Sequence, residues 1–173
     1  EAAISAFDLV LARRPNDTFA GLGKGNALSG LKRLDEARTI FDKLAAADPA
    51  NPWVQAELGL LDFNEGKLDS AEQRFKAALT VDDDKYTCPH EGLGLIYLRQ
   101  GRKDEARKHL EKAISINPDV EYKKYNALAK LHLAEGRTAE ARALLVKSIA
   151  NYPHDPEAKE MLAKLDATPA SPP

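Results

Sequence analysis

The side chains able to do chemistry are few and poorly placed for it. Four histidines stand at 90, 109, 132 and 154, with no HExxH or HxxxH pair among them. Zinc sites need ligands at short fixed spacings, so these read as surface or groove histidines. The acid runs Asp82-Asp83-Asp84 and Asp35-Glu36 lack the alternating oxygens, central Gly and final Glu of a calcium loop. They suit turns and helix starts. Gly21-Leu22-Gly23-Lys24-Gly25 is glycine-rich, but it lacks the GxxxxGK[ST] spacing that lets backbone amides cradle a phosphate. No serine sits in a GxSxG turn. Cys88 has His90 two residues on but no third partner, and reads as a semi-buried cysteine. No catalytic residue, cofactor or metal is expected.

Composition narrows the class further. The 173 residues are 43% hydrophobic and 30% charged, with a net charge of −2. That allows a sizeable core but gives no electrostatic basis for holding nucleic acid. Apolar runs such as Leu58–Leu61 fall far below the ~18 residues of a membrane span. The single cysteine excludes an internal disulfide. One thiol fits a cytoplasmic or a periplasmic chain alike.

The elements that must position any site follow from self-similarity. Ala3, Ala37, Ala71, Ala106 and Ala141 recur at intervals of 34, 34, 35 and 35. Four residues on, the same register holds Phe7, Phe41, Phe75, Leu110 and Leu145. Its closing position holds Pro15, Pro49, Asp83, Pro118 and Pro153. Each copy reads as two helices, because apolar residues such as Ala37, Ile40, Phe41 and Leu44 return every three or four positions. Gly66, Gly101 and Gly136 break the pair where a left-handed residue ends a helix. Asp35, Asp69, Asp104 and Thr138 are placed to N-cap the second helix. Asn51-Pro52 and Asp155-Pro156 combine a cap with a first-turn proline. Gly25, Gly59 and Gly94 recur inside the first helix, which predicts close approach to the alanine column of the second.

This skeleton resembles the tetratricopeptide repeat: 34 residues, small at position 8, Ala at 20, aromatic at 24, small at 27, Pro at 32. The resemblance implies an all-α fold, a right-handed α–α superhelix (solenoid) of antiparallel helix pairs with about ten helices. A lone second helix falls at 1–15, repeats at 18–51, 52–86, 87–121 and 122–155, and a capping helix at 156–167. The Pro/Ala/Ser stretch 168–173 reads as a flexible tail. Departures include Lys24 where Leu is usual, Asp83 for Pro and Ser148 for a small apolar residue. Residue 1 falls inside a repeat, so a fragment of a longer protein is expected, with Ala3, Phe7 and Val10 left as an exposed stripe.

The resemblance also implies a non-catalytic protein–protein interaction scaffold that holds a partner's peptide or helix in a concave groove. In this family, groove contacts come mainly from positions 2, 5, 9, 12 and 13. Here those positions place Phe19, Leu22 and Asn26 in one repeat, Trp53, Phe63 and Asn64 in the next, Glu91, Leu98 and Arg99 in the third, and Lys123, Asn126 and Lys130 in the fourth. Trp53 is the expected anchor, since Trp dominates interface energetics, with Arg99, Lys123 and Lys130 as a positive end. The chaperone-tail clamp of the co-chaperone members is absent, with Leu22, Glu57, Cys88 and Gly92 at four of its positions. Pentatricopeptide-like RNA binding is disfavoured by the net charge and by Leu22, Ala56, Glu91 and Asn126 at position 5. The alternative is a self-assembling repeat module, a homo-oligomer formed through its ends.

Overall fold

The computed structural model describes residues 1–80, 86–119 and 122–167. Among them ten α-helices and no strands occur: α1 (Ala2–Arg13), α2 (Thr18–Gly30), α3 (Leu34–Ala47), α4 (Pro52–Asn64), α5 (Leu68–Leu79), α6 (Thr87–Arg99), α7 (Lys103–Ile116), α8 (Lys123–Ala134), α9 (Thr138–Asn151) and α10 (Pro156–Ala167). Asp83, the acid run 82–84 and the tail 168–173 lie outside the described residues. The chain divides into two compact units, Glu1–Gly92 and Leu93–Pro173.

In the first unit α1 packs on α2, α2 on α3, α3 on α4 and α4 on α5. Its core joins Ile4, Leu28, Ala37, Phe41, Val54, Leu58 and Leu61. In the second, α7, α8, α9 and α10 pack in succession around Ala129, Ala141, Leu145 and Ala158. The alanine column from Ala37 onward is fully buried, as are Phe41, Phe75, Leu110 and Leu145. Stripes one helical turn apart therefore do what their spacing demands. Ala3 at the start of the column is exposed, whereas Phe7 and Val10 of α1 are half-buried.

Two local expectations need correction. The recurring first-helix glycines face the ring column more closely than the alanines. A Cβ on Gly25 would stand 2.3 Å from the Phe41 ring, and on Gly59 2.8 Å from Phe75. On Gly94 it would be 2.7 Å from Leu110, with the Ala106 carbonyl at 3.4 Å. Phe75 is also met from the other side, because a Cβ on Gly92 would lie 2.3 Å from it. Large side chains at position 24 of the repeat fill the space that the glycines vacate, and close packing leaves no room for both.

The second correction concerns helix starts. Asp35, Asp69, Asp104 and Thr138 lie one or two residues inside their helices, and the cap positions are Arg33, Lys67, Arg102 and Arg137, without side-chain caps. The acids instead place negative charge in the first turn, against the helix dipole. The cap arginines join this charge: Arg33 Nε donates to Glu36 at 2.6 Å and Arg102 Nε to Glu105 at 2.7 Å. Asn51 and Asp155 do cap, accepting from Val54 N at 3.2 Å and Ala158 N at 3.2 Å. Gly66, Gly101 and Gly136 adopt φ of +78°, +74° and +73°. In the first repeat the same register position is Lys32, with φ +63°.

Candidate protein-interaction surface

In the first unit, α2 and α4 present the expected line most clearly at their N-terminal ends. Phe19 is 85% exposed and Trp53, 34 residues on in the same register, is 54% exposed. Each follows a rigid start. Asp17 accepts from Ala20 N at 2.9 Å, and Asn51 and Pro52 open α4. The Trp53 ring meets Tyr86 edge to face, centroids 4.7 Å apart, so it is buttressed on one side and open on the other. Leu60 is partly exposed on α4, Phe63 half-buried and Asn64 exposed. Leu22 is half-buried and packs on the core.

Polar members of the line pair with one another. Asn26 Nδ2 donates to Glu57 Oε1 at 3.1 Å, linking α2 to α4. Burial pushes the Glu57 carboxyl up, and the Asn26 bond offsets part of that. Glu91 is buried, which removes it from any open face.

In the second unit Leu98 is half-buried and Arg99 and Lys123 are exposed. Asn126 departs from expectation: it is buried, and its Nδ2 donates to Asp155 Oδ2 at 2.8 Å and Glu157 Oε2 at 3.1 Å. It ties α8 to α10 and cannot also face a partner. Lys130 is exposed and ion-paired with Glu157. The Lys130 bond holds the Glu157 carboxyl below its ordinary range despite partial burial, with Asn126 adding to it. Of the expected positive end, Lys130 is thus already neutralised.

Other side chains also fall differently. His90 and His132 are buried, not surface groups, and Cys88 is exposed, not semi-buried. His109 is half-buried beside the Tyr97 ring, 5.5 Å between centroids. Gly21 and Gly25 lie buried within α2, so the glycine-rich run is a packing face. No group of three or more potential metal ligands comes together among the described residues, and no helix there is long and apolar enough to cross a membrane.

Two buried carboxylates were not recognised as such from sequence. Asp62 on α4 accepts from Arg38 Nη2 (2.8 Å), Ser70 Oγ (2.6 Å) and Arg74 Nε (2.8 Å), joining α3, α4 and α5. Burial raises its pKa, but Ser70 and the two arginines prevail and hold it below the ordinary carboxylate range. Asp155 accepts from Asn126, from Ser148 Oγ at 2.8 Å, and from the Glu157 and Ala158 amides. Those donors likewise outweigh burial and hold its carboxyl down. The signal available for Asp62 was an acid at the register position that Leu28 and Tyr97 occupy in other repeats. Ser148, odd as a small apolar position, is explained by its bond to Asp155.

Comparison with known proteins agrees with this architecture. Three family models described as tetratricopeptide repeat match residues 1–52, 48–119 and 97–165. No curated protein sequence matches. Among solved structures, the APC/C hetero-tetramer Cut9–Hcn1 is similar at 20% identity and TM-score 0.82 over 94% of this chain. The chain spans only about a third, 32%, of that structure's chain. A thermophilic tetratricopeptide protein of Thermus thermophilus is similar at 24% identity and TM-score 0.72, covering 96% of this chain and 90% of its own. MamA is similar at 24% identity and TM-score 0.65, covering 93% and 89%. Tetratricopeptide repeats are protein–protein interaction modules, and their proteins bind protein partners. With matches to one repeat type running from residue 1 to 165, the chain belongs to the tetratricopeptide repeat family.

Proposed function

We propose that the chain is a non-catalytic interaction scaffold whose first unit holds an apolar segment of a partner protein along α2 and α4. The observation that carries this reading is the pair Phe19 and Trp53. They are two large aromatics exposed at equivalent register positions, each at a capped helix start. Burying a large apolar side chain contributes about 1.5–3 kcal/mol, so two such anchors supply the core of a micromolar contact. Leu60 and Phe63 extend the apolar surface along α4, while Asn26 and Asn64 provide polar contacts beside it.

Trp53 is the only tryptophan, so its emission reports the site directly. Titrating a peptide selected against the chain should shift that emission to the blue. Trp53→Phe with Phe19 intact should retain binding, whereas Phe19→Ala/Trp53→Ala should weaken it by about 10- to 100-fold, the loss expected when two partly exposed anchors are truncated. A double variant binding the same peptides with unchanged affinity would dispose of this reading.

Self-association is a second reading, favoured by α1. Leu9 is 73% exposed, and Ala2 and Ala6 on the same stripe are exposed with it. Light scattering over a concentration series decides it. A rising mass that Leu9→Glu abolishes supports self-association, and a constant monomer mass removes it.

A further inference from the structure

The apolar line along α4 is interrupted by one carboxylate. Trp53, Glu57 and Leu60 follow one another at spacings of four and three, so they share a helix face. Glu57 is half-buried, and Asn26 reaches its Oε1 from α2 at 3.1 Å. That neutral amide is its only hydrogen-bond partner among the described residues, and no cation there pairs with it. Elsewhere in the first unit Asp8 holds Lys24, Glu36 holds Arg33, and Asp62 holds Arg38 and Arg74.

The second unit shows how such a carboxylate is completed. Glu157 on α10 takes the Asn126 amide on Oε2 at 3.1 Å and the Lys130 ammonium on Oε1. Lys130 follows Ala129 as Asn26 follows Gly25, so the two stand at one register position. Where the last full repeat supplies an ammonium, the first supplies only an amide. The carboxyls differ accordingly. Lys130, with Asn126, holds Glu157 below its ordinary range, whereas burial pushes Glu57 up against Asn26 alone. A partly desolvated charge without a counter-charge favours any ligand that brings one.

The geometry points to a partner segment carrying a lysine, its ammonium on Glu57 Oε2 and its aliphatic stem along the open side of the Trp53 ring. This rests on the partner surface proposed for α2 and α4 and names the chemistry that occupies it. A lysine fits better than an arginine, because the arginine fork takes both oxygens of a carboxylate and Asn26 already holds one. The stem covers the indole while the charge stays at the edge, and apolar neighbours of the lysine meet Phe19 and Leu60.

Selection of a random peptide library on the wild-type chain, on Glu57→Gln and on Phe19→Ala/Trp53→Ala tests this. Glu57→Gln keeps an oxygen for Asn26 and removes only the charge, and an unchanged melting temperature checks that it folds. The wild type should enrich lysine beside aromatic or aliphatic residues, and Glu57→Gln should enrich the same apolar positions without lysine. In the tightest wild-type peptide, norleucine in place of lysine should weaken binding to the wild type about 5- to 10-fold at low salt, the loss of one charged bond at a half-open site. The same replacement should leave binding to Glu57→Gln unchanged. The lysine assignment is overturned, and the partner surface kept, if peptides that need Phe19 and Trp53 prefer arginine or no cation. It is overturned in the same way if norleucine costs as much on Glu57→Gln as on the wild type. Peptides that bind Phe19→Ala/Trp53→Ala as tightly as the wild type, or a library with no enrichment, would overturn both.

Discussion

Replacing Asp155 by alanine should remove about 3 kcal/mol from the stability of the second unit, the sum of one cap and two hydrogen bonds. The side chain is wholly buried, so no solvent replaces the bonds it loses. One oxygen caps α10 through the Glu157 and Ala158 amides, and an N-cap of this type is worth about 1 kcal/mol. The other accepts from Asn126 and Ser148, both at 2.8 Å. Hydrogen bonds to a charged group contribute about 1.5–3 kcal/mol each. Here both donors keep a second neighbour, Asn126 having Glu157 at 3.1 Å and Ser148 the Tyr122 carbonyl at 3.2 Å. Each bond is therefore counted at about 1 kcal/mol, the value of an ordinary hydrogen bond and below the charged range. Asp155→Asn keeps the cap but turns an amide donor toward one or both of these donors, and should cost about 2 kcal/mol. The pH dependence has a definite sign. The folded Asp155 pKa is depressed, so its contribution is present above the ordinary carboxylate value of about 3.9 and is lost as pH falls through the folded value. Urea denaturation at pH 7 and pH 3, followed by circular dichroism, measures both effects. An Asp155→Ala loss under about 1 kcal/mol at pH 7, less than the cap alone, or one that stays undiminished at pH 3, would refute the hub described for Asp155.

Three other perturbations test separate parts of the fold. Lys32→Gly should stabilise the first unit by roughly 0.5–1 kcal/mol in thermal melts. The left-handed φ of +63° costs a non-glycine residue about 1–2 kcal/mol, partly offset by the freer unfolded chain; destabilisation would contradict that account. Gly25→Ala should destabilise by about 1 kcal/mol, because its Cβ would collide with the Phe41 ring and overpacking of ~1–3 kcal/mol exceeds the helix-propensity gain of about 1. A more stable variant in chemical denaturation would show that the ring yields freely. His132 is held below its ordinary pKa by burial, with Arg137 and Arg107 adding to it against Glu140 and Glu135. Its Nδ1 is buried with no hydrogen-bond partner among the described residues. The unfolded chain therefore takes its proton first, and stability should fall as pH drops below about 6.5 toward the folded value. His132→Gln should flatten this part of the profile, and an unchanged slope would show that another group carries it.

Determinants written in the residues themselves were legible without coordinates. The alanine and aromatic columns, the prolines and the turn glycines are local or periodic signals, and each has a physical meaning at its own position. They specified the helix pairs and their spacing, whereas Phe19 and Trp53 followed from the contact positions that the family resemblance implies. Pairing between distant side chains was not legible in that way. Asn126 belongs to the expected line by register, yet Asp155, 29 residues on, draws it inward. Asp62 looked like one more helical residue until Arg38 and Arg74, from different helices, met at its carboxylate. Lys24 read as an irregularity, and only the placement of Asp8, 16 residues back on α1, gave its ammonium a partner. A repeat's period reports which face of each helix is buried. Which polar groups meet, and where space remains, depends on side chains brought together by tertiary packing, and one helix's periodicity carries no record of its neighbour's.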